Sequence, residues 1–289
     1  MTLEDGQERT THARYWVIVF AVTLAVIQYI DRVCISKAMP SIKAELGFTN
    51  VQVGYIFGAF TLAYALFEIP GGWLGDRFGP RKVLMRVVVW WSFFTAATAW
   101  VTSAASMMLV RFLFGAGEAG CFPNITKAFT TWLPRHERVR AQAILWLAAR
   151  WGGAVTPLLV VGVLSLVSSW RRAFELFGLV GIVWGVLFYR WFRDNPLDHP
   201  SVGTAERKLL ANLDSLQSRH AKVPWRVFFT SRSAWLLWTQ YACLSYVWYF
   251  YITWFPTYLE ATHGKTLGPV TLAVLAGLPL FGGGFGSLI

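Results

Sequence analysis

Eight apolar stretches punctuate the chain, at 16–39, 51–74, 83–101, 107–129, 141–167, 173–192, 234–259 and 270–289. Each is close to the roughly 20 residues that a helix needs to cross a hydrocarbon core of about 30 Å. The pattern predicts an all-α polytopic membrane protein. The first stretch runs to full spanning length with no small-residue cleavage site, so it reads as a transmembrane helix and not as a cleaved signal.

The polar intervals set the organisation. Short loops join the first six stretches. A long polar segment follows, with Pro196, Pro200, a run of helical character at 205–216 and Pro224. This predicts a six-helix bundle over 1–192, a linker over 193–233 and the start of a second bundle over 234–289. The last stretch ends inside the Gly-rich run 277–289 with no flanking charge, which reads as a truncated chain lacking most of its second bundle.

Basic residues orient the spans. One set of loops holds Arg9, Arg14, Arg77, Arg81, Lys82, Arg86, Arg135, Arg138 and Arg140, together with Arg190, Arg193, Arg207, Lys208, Arg219, Lys222, Arg226 and Arg232. The opposite loops hold only Lys37, Lys43, Arg171, Arg172 and Lys265. An excess of Lys and Arg marks the cytoplasmic side. The expectation is a multi-pass protein of the inner (plasma) membrane with a cytoplasmic N-terminus. Arg32, Arg111, Lys127 and Arg150 fall inside spans.

Composition changes one point. A net charge of +11 suggests nucleic acid, but the basic residues follow membrane topology, so no nucleic-acid partner is expected. The chain is 55% hydrophobic and only 14% charged, with a mean hydropathy of +0.46, too little charge to cover a soluble surface of this size. Cys34, Cys121 and Cys243 lie within apolar spans without metal or disulfide spacing and read as buried free thiols. No nucleophile–base pair, metal cluster or phosphate loop is visible, so neither an enzyme nor a cofactor is expected.

The loop between the second and third spans reads Gly72-Trp73-Leu74-Gly75-Asp76-Arg77-Phe78-Gly79-Pro80-Arg81-Lys82. Its form, G-x-x-x-D-R-x-G-x-R-K, and its position resemble the signature of the major facilitator superfamily. The resemblance implies the facilitator fold, with gating roles for Gly72, Asp76, Arg77, Gly79 and Arg81 in a loop that latches the two bundles. Tyr29-Ile30-Asp31-Arg32, Arg111 with Glu118, the stretch from Asn195 to Pro200 and the stretch from Tyr249 to Leu259 further resemble the anion:cation symporter branch, whose members carry organic anions and sugar acids.

Of the charges inside the spans, five are singled out as working parts: Asp31, Arg32, Arg111, Glu118 and Arg150. A charge at the bilayer centre costs about 2.5–3.5 kcal/mol on insertion scales, so such residues mark functional paths. Asp31 and Arg32 are read in the outer half of span one, pointing about 100° apart. Arg111 and Glu118 share one face of span four, about 10 Å apart along the axis. Glu118 is read as a central acid without an adjacent partner. Arg150 lies midway along span five among small residues that leave room for a cavity, and a guanidinium there suits a carboxylate.

The resulting assignment makes Asp31 and Glu118 proton-coupling residues. Arg32, Arg111 and Arg150 engage a carboxylate or hold the acids, with Tyr29, Tyr64 and Tyr249 as secondary substrate contacts. A structural ion-pair network for the charges and a packing role for the tyrosines remain open alternatives. The expected function is proton-coupled uptake of a small organic anion, a sugar acid such as a hexuronate, aldonate or aldarate, by alternating access. Na⁺ stays open as the coupling ion, and the full-length protein is expected to be monomeric in its bilayer. An efflux antiporter and a non-transporting sensor of sugar acids are the rivals.

Overall fold

The computed structural model describes residues 11–217 and 229–287, and among them every regular element is helical. The first bundle comprises α1 (Tyr15–Leu46), α2 (Asn50–Phe78), α3 (Pro80–Ala97), α4 (Ala104–Glu118), α5 (Cys121–Trp132), α6 (Arg135–Val167) and α7 (Trp170–Trp191). α8 (Thr204–Gln217) follows in the linker. Then come α9 (Arg232–Tyr249), a π turn (Phe250–Trp254), α10 (Phe255–His263) and α11 (Pro269–Phe285). Six segments are long and apolar enough to cross a membrane, with α4 and α5 forming one of them. Arg9, Arg219, Lys222, Pro224, Arg226 and the last two residues lie outside the described residues.

Local chemistry fixes the ends. α2 opens on a reciprocal capping box: Gln52 N–H donates to Thr49 Oγ1 (3.2 Å) and Thr49 N–H to Gln52 Oε1 (2.8 Å). Ser103 and Ser106 cap α4 in the same manner. The signature loop is a two-residue corner. Gly79 at φ 81 ends α2, and Pro80, whose ring presets helical φ, opens α3. α1 runs through Pro40 and stops only at Gly47, φ 70. It extends seven residues beyond the predicted end at 39, which moves Asp31 and Arg32 from the expected outer half to its midpoint.

The first bundle pairs α1 with α6, α2 with α4 and α3 with α7. α2 and the α4–α5 segment cross where two glycines meet: a Cβ on Gly71 would stand 2.6 Å from the Cα of Gly120. The helix breaks at that crossing, between Glu118 and Cys121, and Asn124 donates to the carbonyls of Gly71 (3.0 Å) and Gly120 (2.6 Å). Two apolar cores result. One centres on Trp91, Phe114 and Trp132 towards the basic end, the other on Met39, Ile56 and Phe174 towards the opposite end. Asp31, Arg32, Arg111 and Glu118 lie at the seam between them.

The second-bundle helices dock on α1 and α6. Pro256 has no N–H, so the carbonyl of Ile252, four residues earlier, loses its helical donor. The Ser36 hydroxyl on α1 donates to that carbonyl at 2.9 Å. Lys37 pairs with Glu260 at 3.1 Å one residue along. At the basic end, the start of α8 docks beneath the first bundle. Glu206 accepts from Thr11 Oγ1 (2.7 Å), Ala13 N (3.2 Å) and Arg14 N (3.0 Å), and Arg14 also pairs with Glu137 at 3.1 Å. His199 packs against Trp132 and Trp191, accepts at Nδ1 from Ser201 N–H (3.2 Å) and meets the Trp191 carbonyl through Nε2 (3.0 Å).

Candidate functional site

Glu118 is the hub. It ends α4 at the middle of the α4–α5 span and is fully buried. Its Oε1 accepts from Gln28 Nε2 (2.7 Å), from Arg32 Nε (2.9 Å) and from Arg32 Nη2. Its Oε2 is buried with no hydrogen-bond partner. The expectation of a central acid without a partner is therefore corrected: α1 supplies two donors. Gln28 and Arg32 are four residues apart, one turn on the same face.

The Arg32 guanidinium sits in an aromatic cage, over the rings of Tyr64 (4.8 Å), Phe60 (5.2 Å) and Tyr29 (5.4 Å). Stacked rings hold a guanidinium in one orientation and favour it electrostatically. Arg32 does not hold Asp31. The two side chains diverge, and both Asp31 oxygens are buried without a hydrogen-bond partner. Asp31 shares its surroundings with Arg111, Glu118 and the indole of Trp91, whose N–H also lacks a geometric acceptor.

A cavity of about 630 Å³ opens beside this cluster. Arg32, Ser36 and Ile35 of α1, Phe57, Phe60 and Thr61 of α2 and Arg111 of α4 form one wall. Tyr246, Tyr249, Thr253 and Trp254 of the α9–π segment form the other. Arg111 is 2% exposed; its Nη2 donates to Thr98 Oγ1 (3.3 Å) and its guanidinium lies over Phe114 (5.0 Å) and Phe174 (5.6 Å). Among the described residues no carboxylate comes within the 4.0 Å of an ion pair with Arg111.

The structure thus brings together Asp31, Arg32, Arg111, Glu118, Tyr29, Tyr64 and Tyr249. Of these, Arg32, Arg111 and Tyr249 line the cavity, while Tyr29 and Tyr64 flank Arg32 from outside its wall. Arg150 stands apart. Its guanidinium donates to the Gly283 carbonyl of α11 and lies 5.2 Å from the Trp248 ring. The small residues beside it serve close helix contact: Gly152 packs on Val26 and Gly153 on Tyr29 and Leu280. Gln28, Ser36 and Thr61 are polar neighbours of the site that the sequence reading does not single out.

Other readings shift too. Lys127 lies near the end of the 104–132 segment, as expected, but it is partly exposed and pairs with Asp76 at 3.0 Å. Cys34 and Cys121 are buried, but Cys243 is exposed. The signature loop contacts the first bundle and the start of the linker: Gly72 packs on Pro123, Arg77 lies over Trp73 and Phe78, and the Arg81 amide donates to Asp194 Oδ1 at 2.8 Å.

The Major Facilitator Superfamily model matches residues 21–289. This chain belongs to that superfamily. The facilitator chain is 40% identical over 265 residues to the probable sulfoacetate transporter SauU of Cupriavidus necator, covering 91% of this chain and 60% of that protein. It is 30% identical over 278 residues to the hexuronate transporter of Bacillus subtilis, covering 94% and 64%. It is 31% identical over 267 residues to the D-galactonate transporter of Escherichia coli, covering 88% and 61%. These relatives are named as transporters, not enzymes, and the facilitator chain spans less than two thirds of their length. In fold it matches the crystal structure of a bacterial homolog of the human lysosomal transporter Spinster, inward-facing and occupied. The TM-score is 0.74 at 23% identity, over 96% of this chain and 60% of that one.

Proposed function

We propose that the intact protein is a secondary active transporter that takes up a small organic anion with protons, by alternating access of two bundles around a midplane site. The substrate class we propose is a sugar acid: a hexuronate, an aldonate or an aldarate. The observation that carries this reading is Arg111, a buried guanidinium on the cavity wall with no ion-pair partner among the described residues. A buried unpaired charge is costly, and an incoming carboxylate relieves that cost with two parallel hydrogen bonds.

Glu118 supplies the coupling. Its free Oε2 is the seat for a proton. Protonation removes the negative charge that holds Arg32 and releases that guanidinium towards the cavity, where it joins Arg111 on the substrate. Loss of the proton lets Glu118 reclaim Arg32 and weakens anion binding. Asp31, buried with both oxygens unpaired, is the second proton carrier. Arg150, bonded to α11, acts in this scheme at the contact between bundles. Residues 1–192, 193–233 and 234–289 serve as first bundle, linker and start of the second. The N-terminus faces the cytoplasm, and the Asp76 loop acts in gating.

The relative named for sulfoacetate favours a second reading, a short dianion whose carboxylate and sulfonate are taken by Arg32 and Arg111. One experiment separates these possibilities. The full-length protein in proteoliposomes is given labelled glucuronate, galactonate, galactarate and sulfoacetate, with and without an inward proton gradient. Gradient-driven accumulation of a sugar acid supports the first reading and of sulfoacetate alone the second. Binding without flux points to a sensor, and outward drug flux to an efflux antiporter. Accumulation indifferent to the proton gradient removes the proton from the mechanism.

A further inference from the structure

The face of α3 turned away from the bundle carries Lys82, Arg86, Val89, Trp90 and Phe93, all exposed and at helical spacing. With Tyr189 of α7 beside them, they line a groove of about 590 Å³. Its walls are fixed. The Trp90 indole donates to the Leu113 carbonyl at 2.8 Å, and Phe94 packs between Trp90 (5.3 Å) and Phe93 (5.1 Å). The groove is remote from the inter-bundle face, since α3 packs on α4 and α7 while the second-bundle helices pack on α1 and α6.

Its charge is one-sided. Arg81 is committed to the Tyr189 carbonyl (2.7 Å) and ring (4.3 Å). Asp194 acts on Lys82 from a distance, but it acts on Arg81 as well, and one carboxylate among three basic side chains does not neutralise this end. Lys82 and Arg86 therefore leave a positive surplus at one end of an otherwise apolar groove. From Lys82 to Phe93 the helix rises about 16 Å, half of a hydrocarbon core of about 30 Å. With the basic pair at headgroup level, this rise would carry the aromatic end towards the midplane.

We infer that this groove binds one anionic phospholipid of the leaflet at the basic end. Lys82 and Arg86 hold its phosphate, and an acyl chain lies along Val89, Trp90 and Phe93. The test is native mass spectrometry of the intact detergent-solubilised protein titrated with phosphatidylglycerol and with phosphatidylcholine. The first lipid bound is expected to favour phosphatidylglycerol by roughly thirtyfold, about fivefold per basic side chain. The variant Lys82→Gln with Arg86→Gln is expected to lose that preference. A matched variant, Arg135→Gln with Arg140→Gln, removes two exposed charges from the same end outside the groove and is expected to keep it. Equal loss in both variants, reflecting surface charge in general, overturns the inference, as does unchanged preference in the first. A dimer that buries this groove and excludes the lipid also overturns it.

Discussion

Glu118→Gln is the most informative perturbation. The substitution keeps an oxygen for Gln28 and Arg32 but replaces Oε2, which has no partner, by an amide NH₂ with no acceptor. A buried unsatisfied donor costs about 1–3 kcal/mol. Removing one partner of a fully buried ion pair costs about 3–5 kcal/mol. Here Arg32 borders a cavity, and the hydrogen bonds to Oε1 persist, so the loss should be near the lower end, about 2–3 kcal/mol in thermal unfolding. The functional effect is separate. If one proton on Glu118 accompanies each anion, apparent affinity rises up to about tenfold per unit fall in pH across the titration, by linkage. The variant mimics the protonated acid and should lose that slope. In proteoliposomes it should retain counterflow exchange but not accumulate substrate down a proton gradient. Wild-type accumulation, or a wild-type pH slope, would refute the coupling role of Glu118.

Arg111→Lys should lower substrate affinity at least tenfold with little change in unfolding temperature, because the ammonium keeps the charge but loses the planar fork; competition binding measures it. Ser36→Ala leaves the Ile252 carbonyl without its donor and should destabilise the α1 contact with the second bundle by about 1–2 kcal/mol, read as a fall in unfolding temperature in detergent. Burial holds the His199 imidazole below its usual range. The unfolded state then binds the extra proton first, so stability is complete above about pH 6.5 and falls as pH drops through that value. Proteolysis of the linker at pH 7.5 and 5.5 should show this acid sensitivity, and His199→Gln should flatten it.

Much of this architecture is legible along the chain because bilayer thickness sets a minimum apolar length for every span. The predicted run at 205–216 becomes α8, and the signature loop forms its glycine–proline corner where the spacing places it. Partner choice between distant helices is less legible. Glu118 meets Gln28 and Arg32 across about 90 residues, and no periodicity encodes that meeting. A signal did exist, since Gln28 and Arg32 lie one turn apart and offer donors on a single face. Pro256 likewise announces an orphan carbonyl at Ile252, although only packing shows that Ser36 supplies its donor. Arg150 illustrates the converse. The small residues around it look like room for a ligand, but glycines also permit close helix contact, and that is how Gly152 and Gly153 are used.

Anion-driven proton movement tests the central claim most directly. Full-length protein is reconstituted into vesicles containing a pH-sensitive dye, and an inward gradient of its transported anion is imposed with no initial pH difference. The account predicts acidification of the lumen in step with anion entry, absent in Glu118→Gln and in Arg111→Ala. Anion entry with no change in luminal pH would contradict it.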